Sequence, residues 1–550
     1  MESILKLFSE HGTFIQPDAL EYISKKQNPN DFASYLIKNL KEYPLFLTIE
    51  NIKNIEETKN EIKIQTENKD LQINKKIQNK LLSELYNVDF SEKKFIEEET
   101  EEFEKEKPLD IQHQEAALQN IKIKTVKGWK PFSREYDSEV KILKDVTGES
   151  TCEGTTHDFL KLFRNRFDIL RKIIRNQRRE MVHVIPIGRI NKNISDVQII
   201  GIVKEIKTTV NGHKRIELED ETGLVTLMAL RNNSEVFHLA SEVIIDEIVG
   251  IVGKISKNGD LILIQNIVFP DIKLQHDKKK AEISLYTAFL SDIHIGSNMF
   301  LTDQWNSFLR WINGNLGNSR QKEVAGKIKY LVLPGDLVDG IGIYPGQEKE
   351  LTIPNIYQQY EALAKQLESL PNHLTILMQP GNHDAVRPAE PQPTFEKEIQ
   401  DLFSGKEFIF IGNPCNFSLH GVEILSYHGQ SLLDFSTNIQ HLNYNQPTDV
   451  MKIMLKKRHL SPAYGGYTPL APEHSDYMII DRVPDIFVTG HVHISNIDNY
   501  RGVTLINSSS WQGQTSYQKM LNFVPDSAKL PIVDLKTGNA TTMDFSQKNL

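Results

Sequence analysis

Residues 290–297 read LSDIHIGS, an apolar run that ends in a polar tip. The same form returns in LPGDLVDG (333–340), QPGNHDAV (379–386), SYHGQS (426–431) and TGHVHIS (489–495). The tips supply Asp292, His294, Asp336, Asn382, His383, His428, His491 and His493. The runs before them, residues 283–290, 328–333, 374–378, 422–427 and 485–488, are rich in Ile, Val and Leu and are closed by Gly or Pro. That pattern predicts buried strands. Helical spacing between them, as at residues 356–370, makes the class α/β. In open α/β sheets, polar groups after the strand ends gather in one crevice.

The ligand chemistry follows from the residue types. Asp292 and His294 are two apart, as are His491 and His493, so in extended segments each pair would point to one side. Glycines stand beside the ligands at 335, 381, 429 and 490; glycine lets the backbone approach a bound group closely. Imidazole with carboxylate and amide oxygen suits Mn, Zn or Fe better than a thiolate metal. No cysteine stands in the five tips, which argues against a structural zinc centre.

DxH, GDxxD, GNHD, a lone His and GHxH, in that order, resemble the calcineurin-like metallophosphoesterase superfamily. The resemblance implies two divalent metal ions, Mn2+ first, with Zn, Fe or Mg as alternatives. It implies that Asp292, His294, Asp336 and His493 hold one ion. Asp336, Asn382, His428 and His491 hold the second, Asp336 bridging. His383 is then catalytic rather than a ligand. Asp339 and Asp384 are expected to be structural. Two ions about 3.5–4 Å apart suit in-line phosphodiester hydrolysis, and an imidazole suits proton transfer near neutral pH.

The segments PGNHDAVRPAEPQP (380–393), INSSSWQGQTSYQKM (506–520) and GDLVDGIGIYPGQ (335–347) resemble the small subunits of archaeal D-family DNA polymerases. That likeness implies a 3′-to-5′ proofreading exonuclease, with a large catalytic polymerase subunit and DNA, single-stranded or at a primer 3′ end, as partners. Two other functions stay open: a scaffold subunit with weak or no nuclease, and a phosphoesterase acting on small phosphorylated molecules. Arg387 is equally a candidate phosphate contact or a structural ion pair. Residues 507–518, with Trp511, are a candidate surface for the large subunit.

Upstream, residues 182–272 carry short alternating strands with turns at Asn211-Gly212, residues 221–223 and Asn258-Gly259. This predicts a five-stranded OB-type barrel. Its charges mix Lys204, Lys207 and Lys214 with Glu205, Glu217 and Glu219, and exposed aromatics are few, which favours a structural or docking role over strand binding. Residues 121–181 predict a strand and then a basic amphipathic helix from Thr156 to about Arg178. Its stripe is Phe159, Leu160, Phe163, Phe167, Leu170 and Ile174, its cap Thr156, and its basic face includes Arg164, Arg166, Arg171, Lys172 and Arg175. Residues 1–50 predict a small helical domain. Residues 51–120 are polar and strongly acidic in part, and predict a disordered linker. The phosphoesterase domain is expected over 282–550, a β-sandwich flanked by helices.

At 550 residues the chain is too long for one core. Its net charge of −9 argues against DNA binding through bulk basicity. Two cysteines, Cys152 and Cys415, fit a reducing compartment. No leader pattern and no apolar stretch of about 20 residues is present, so a cytoplasmic protein without membrane association is expected. No GxxxxGK[ST] loop occurs, and no polymerase chemistry is expected in this chain.

Overall fold

The computed structural model describes residues 125–547, apart from Lys127, Arg178, Lys192, Asn193, Lys257 and Asp260, together with short stretches between residues 14 and 47. Residues 1–107 and 108–550 form two compact units. In the first, helix α1 (Pro29–Asn39) buries Ala33, Leu36 and Ile37 at helical spacing. It begins with proline, whose missing N–H a first helical turn does not need. Strands β1 (Phe14–Ile15) and β2 (Phe46–Leu47) pair in parallel. Sequence spacing suggests only helices here, because a two-residue strand is too short to show a period. The linker expected at residues 51–120 lies outside the described residues.

The second unit opens with strand β3 (Val140–Lys144) and helix α2 (Thr156–Gln177). Then come β4 (Asp196–Thr208), β5 (Lys214–Asp220), β6 (Gly223–Ala229), β7 (Ile248–Ile255) and β8 (Ile262–Val268). These five close into a barrel in the order β4-β5-β6-β8-β7. Val197, Ile199, Ile216, Leu218, Val249 and Ile251 fill its interior. On the outer wall Ile200 and Ile248 meet Phe167, Leu170 and Ile174 of α2. A strand covered on both faces reads as a continuous apolar run, which explains why IIGIV and IVGIV break strict alternation. Several charges on strands β4 to β6 pair with one another: Lys207 with Glu205 at 2.5 Å, Arg215 with Glu217 at 2.5 Å and Lys204 with Glu219 at 3.5 Å.

Helix α2 departs from its expected face in two places. Leu160 is exposed, and Arg166, expected on the helix's basic face, is fully buried. Its Nε donates to Asp476 at 2.7 Å and its Nη1 to the Pro462 carbonyl. Periodicity places an arginine by polarity, whereas here a buried carboxylate supplies the partner that makes burial tolerable. The cap is Thr155, not Thr156: Thr155 Oγ1 accepts from the Asp158 N–H while Asp158 Oδ2 accepts from the Thr155 N–H.

The remaining strands form two mixed sheets. In one, β9 (Tyr286–Phe289), β10 (Ile328–Pro334), β11 (Thr375–Gln379) and β12 (Glu407–Phe410) run parallel, in the order β12-β11-β10-β9. In the other, β13 (Cys415–Leu419) and β14 (Val422–Ser426) form a hairpin, and β14 continues in parallel to β15 (Ile486–Thr489). Strand β16 (Asn496–Tyr500) is the outer partner of β17 (Val503–Asn507), which pairs in parallel with β15, while β3 borders β13. Strands β18 (Lys529–Asp534) and β19 (Ala540–Asp544) complete the first sheet beside β9. Phe289, Val332 and Leu377 of the first sheet share one buried cluster with Phe417, Ile424, Val488 and Ile506 of the second. The sheets therefore pack face to face. Helix α3 (Thr302–Ile312) and helix α4 (Ile356–Leu367) cover the outer face of the first. Helix α5 (Pro447–Lys457) covers the second. The order of layers is helix, sheet, sheet, helix.

Candidate metal centre

Each sequence-predicted ligand leaves the C-terminal end of a parallel strand. Asp292 and His294 follow β9, Asp336 follows β10, and Asn382 and His383 follow β11. His428 follows β14, and His491 and His493 follow β15. The first group comes from one sheet and the second from its partner, so the site lies where the two parallel edges meet.

Three sets of ligand atoms converge there, each set within 4.8 Å: Asp292, His294 and His493; His294, Asp336 and His383; Asp336, His428 and His491. Asn382 joins the last, its Oδ1 lying 3.0 Å from His428 Nε2. All eight predicted residues are thus brought together. Asp336 and His294 each belong to two of the sets.

The backbone there is unusual. Among the described residues eleven non-glycine positions have positive φ, and five of them are Asp292, His294, Asp336, His491 and His493, with φ between 51° and 67°. Left-handed backbone at aspartate and histidine costs of the order of 1–3 kcal/mol each. This corrects the expectation that Asp292 and His294 share a side through an extended segment. Both residues take left-handed backbone, and this rather than strand alternation makes them converge. Glycine makes the approach possible: a Cβ on Gly381 would lie 2.3 Å from Asp336 Oδ1.

The electrostatics fit a cation. Burial opposes ionisation of Asp336, yet the neighbouring imidazoles of His428 and His383 hold its carboxyl well below the usual range. Burial would lower His428, but the Asp336 charge pushes it up to about 10. Burial and the charge on His428 push His491 down to about 3. Asp336 Oδ2 is buried with no hydrogen-bond partner, 3.2 Å from His428 Nε2 and 3.9 Å from His294 Nε2. His294 Nε2 and His493 Nε2 face each other at 3.1 Å. An orphaned carboxylate oxygen among closely spaced imidazole nitrogens is a donor set that divalent ions would satisfy.

A surrounding shell fixes the ligands. The His294 Nδ1–H donates to Asp339 Oδ1 at 3.1 Å, and the His428 Nδ1–H to the Pro334 carbonyl at 2.9 Å. Asp339 also accepts from Gln512 Nε2 at 2.9 Å and Gln347 Nε2 at 3.2 Å. Gln518 Nε2 donates to His493 Nδ1 at 3.1 Å. Asp384 accepts from the Gly381 N–H and the Tyr360 hydroxyl. His383 is held by its Nδ1–H on the Asp339 carbonyl at 2.8 Å, which turns Nε2 toward Asp336 Oδ2, 3.8 Å away. Gln347, Gln512 and Gln518 escaped sequence reasoning, since a lone glutamine carries no spacing signal.

Two further expectations change. Arg387 is occupied internally, with Glu473 at 2.8 Å, Ser150 Oγ at 2.6 Å and the Pro391 carbonyl, which is its structural alternative. Trp511 is fully buried, in contact with Trp305 and Phe308, and residues 507–510 and Gln512 are buried with it. That stretch is not a free surface. Its backbone holds the site instead, the Trp511 N–H donating to the Asp292 carbonyl at 2.8 Å.

The family of B-subunits of DNA polymerases alpha and epsilon matches residues 287–496. A DNA polymerase II small subunit of Archaeoglobus fulgidus is 45% identical over 387 residues, 70% of this chain and 77% of that protein. The same-named proteins of Methanocaldococcus jannaschii and Methanothermobacter thermautotrophicus are 38% identical (79% of this chain, 73% of that protein) and 40% identical (76% and 84%).

Proposed function

This chain belongs to the small subunits of the archaeal D-family polymerase, DNA polymerase II, and from that premise we propose that it is the 3′-to-5′ proofreading exonuclease of the assembly. Small-subunit status implies a large catalytic subunit as partner. The observation that carries the nuclease reading is the convergence of eight ligand-type residues, five of them on strained backbone, around an unpartnered Asp336 oxygen. Strain of this kind is kept where function needs the geometry.

In this reading the sandwich over residues 282–550 is a calcineurin-like phosphoesterase domain and the barrel over 182–272 an OB-type module. Asp292, His294, Asp336 and His493 hold one divalent ion, and Asp336, Asn382, His428 and His491 hold the second; Mn suits the donor set. Such ions would supply Lewis acidity to a phosphodiester at a DNA 3′ end. Asp339, fixed by Gln347 and Gln512, holds His294 in the tautomer that presents Nε2. His383, anchored through Nδ1, presents Nε2 as the proton donor. Water attacks phosphorus and releases a proton to solvent, the P–O3′ bond breaks, and the departing 3′ oxygen takes the His383 proton, which solvent restores.

The test is shortening of an end-labelled primer, paired or mispaired at its 3′ end, by the chain with its large subunit, with Mn2+ added or chelated. Stepwise loss from the 3′ end that needs metal is expected. His383→Ala should lower turnover by about 10²–10⁴-fold while the DNA still binds. No metal-dependent shortening, with assembly and polymerisation intact, would sink the reading and leave a scaffold.

A further inference from the structure

Two tyrosines stack at the edge of the metal centre. The rings of Tyr344 and Tyr517 lie 5.6 Å apart between centroids at 24°, and both are half-buried. They come from segments 173 positions apart in sequence, and each segment is tied to the histidine cluster by one side chain. On the Tyr344 side, Gln347 accepts from the Ile343 N–H and donates to Asp339, which holds His294. On the Tyr517 side, the neighbouring Gln518 donates to His493. Helix α6 (Ser516–Met520) carries Tyr517 and Gln518 and is fixed by a capping box between Thr515 and Gln518. Farther along, the Asp526 N–H donates to the His493 carbonyl. His294 and His493 are the two imidazoles that face each other at 3.1 Å.

The pair is flanked by apolar side chains left in water. Ile341 and Ile343 are 48% and 38% exposed on one segment, and Met520 and Val524 are 74% and 72% exposed on the other. Core demands do not explain this: neither tyrosine belongs to a buried cluster, and the Tyr344 hydroxyl is satisfied by Glu350 at 3.3 Å. An aromatic face with apolar flanks beside a phosphoesterase centre matches the chemistry of nucleobase stacking.

We propose that Tyr344 and Tyr517 form a stacking platform for the unpaired base at a DNA 3′ end, placing its phosphodiester at the metal centre. The inference rests on the nuclease reading and adds to it the means of choosing substrate. At 5.6 Å the rings are too close to admit a base between them, so the base lies on the outer face of the pair. A paired terminal base is already stacked in its duplex and must be unpaired before it can reach the platform. A mispaired or single-stranded one meets a smaller cost. Preference for unpaired ends then comes from this platform rather than from hydrogen bonds that read sequence.

The test pairs a protein change with a DNA change. The chain in complex with its large subunit is titrated with a labelled single-stranded oligonucleotide whose terminal linkage is a cleavage-resistant phosphorothioate. Its 3′-terminal nucleotide is either normal or abasic, and binding is read by fluorescence anisotropy. The wild type should lose about tenfold in affinity on going to the abasic end. Tyr517→Ala and Tyr344→Ala should lose about as much on the normal end and be indifferent to the missing base. Tyr517→Phe should keep the preference, which separates stacking from misfolding. Equal wild-type affinity for both ends, or losses that multiply when Tyr517→Ala meets the abasic end, would overturn the platform and leave the nuclease reading standing. Tyr517→Ala that keeps the end preference but releases the large subunit would assign this surface to that partner instead. A wild type that binds neither oligonucleotide would overturn both the platform and the nuclease reading.

Discussion

The barrel and the metal centre sit in one compact unit but solve opposite problems. The barrel's interior is aliphatic, and Lys204, Lys207 and Arg215 pair with carboxylates on its own strands. Among its described residues Asp246, at the entry to β7, is the one non-glycine position with positive φ. The centre concentrates buried aspartates and histidines, holds five of them in left-handed backbone and leaves a carboxylate oxygen unsatisfied. Local rules agree with the fold in the first region and conflict with it in the second. Such conflict is expected where geometry serves chemistry.

The comparison predicts that damage to the two regions will separate. Asp336→Ala should cost several kcal/mol of transition-state stabilisation, a loss of metal-dependent DNA cleavage on the order of 10³-fold or more, with the barrel intact by circular dichroism. Ile251→Ala, in the middle of the barrel interior, should do the reverse. It should cost ~2–5 kcal/mol of stability in denaturant melts while cleavage per folded molecule is unchanged. A barrel variant that lost cleavage without losing stability would break the distinction.

Gln512→Ala sharpens it, because Gln512 holds Asp339 and touches no predicted ligand. Metal affinity or turnover should fall by about 10–100-fold, measured by metal titration. An unaltered titration would mean that Asp339 does not need this partner.

The smallest effect concerns pH, at the buried cluster joining α2 to the two-sheet part. His459 Nε2 donates to Asp476 at 2.9 Å, and its Nδ1 accepts from the Ser461 N–H. Burial and the Arg166 charge push His459 down to about 4. Burial opposes ionisation of Asp476, but Arg166 and His459 hold its carboxyl below the usual range. The unfolded chain therefore takes up a proton on this histidine near pH 6.5 that the folded chain refuses until about pH 4. Stability should fall with pH across that window, by up to ~1.4 kcal/mol per unit. The Asp476 contribution, present above the ordinary carboxylate range, is lost only on further acidification. His459→Gln should flatten the fall between pH 6.5 and about 4 in urea melts; an unchanged slope would place the acid sensitivity elsewhere.

Legibility followed the same division. Strands β10, β11, β14 and β15 stand within a residue or two of where apolar runs and glycines put them, because a buried strand must be apolar along its whole length. The eight residues that converge were legible as candidates from ligand type and order. The left-handed backbone at five of them was not, because Asp and His carry no signal for φ of the kind glycine does. Arg166 and Trp511 were misplaced for a related reason: polarity and aromaticity give a preference for surface or core, and a distant partner decides the outcome.

By itself the sequence determined the α/β character, the succession of strands and ligands, and the polymerase small-subunit likeness, since all three depend on residue type and order along the chain. Only the tertiary structure decided that the ligand-type residues come from two facing sheets. It alone decided that three glutamines hold the site and that two tyrosines from distant segments stack beside it. Those facts depend on contacts between residues far apart in sequence, and such contacts leave no periodic trace.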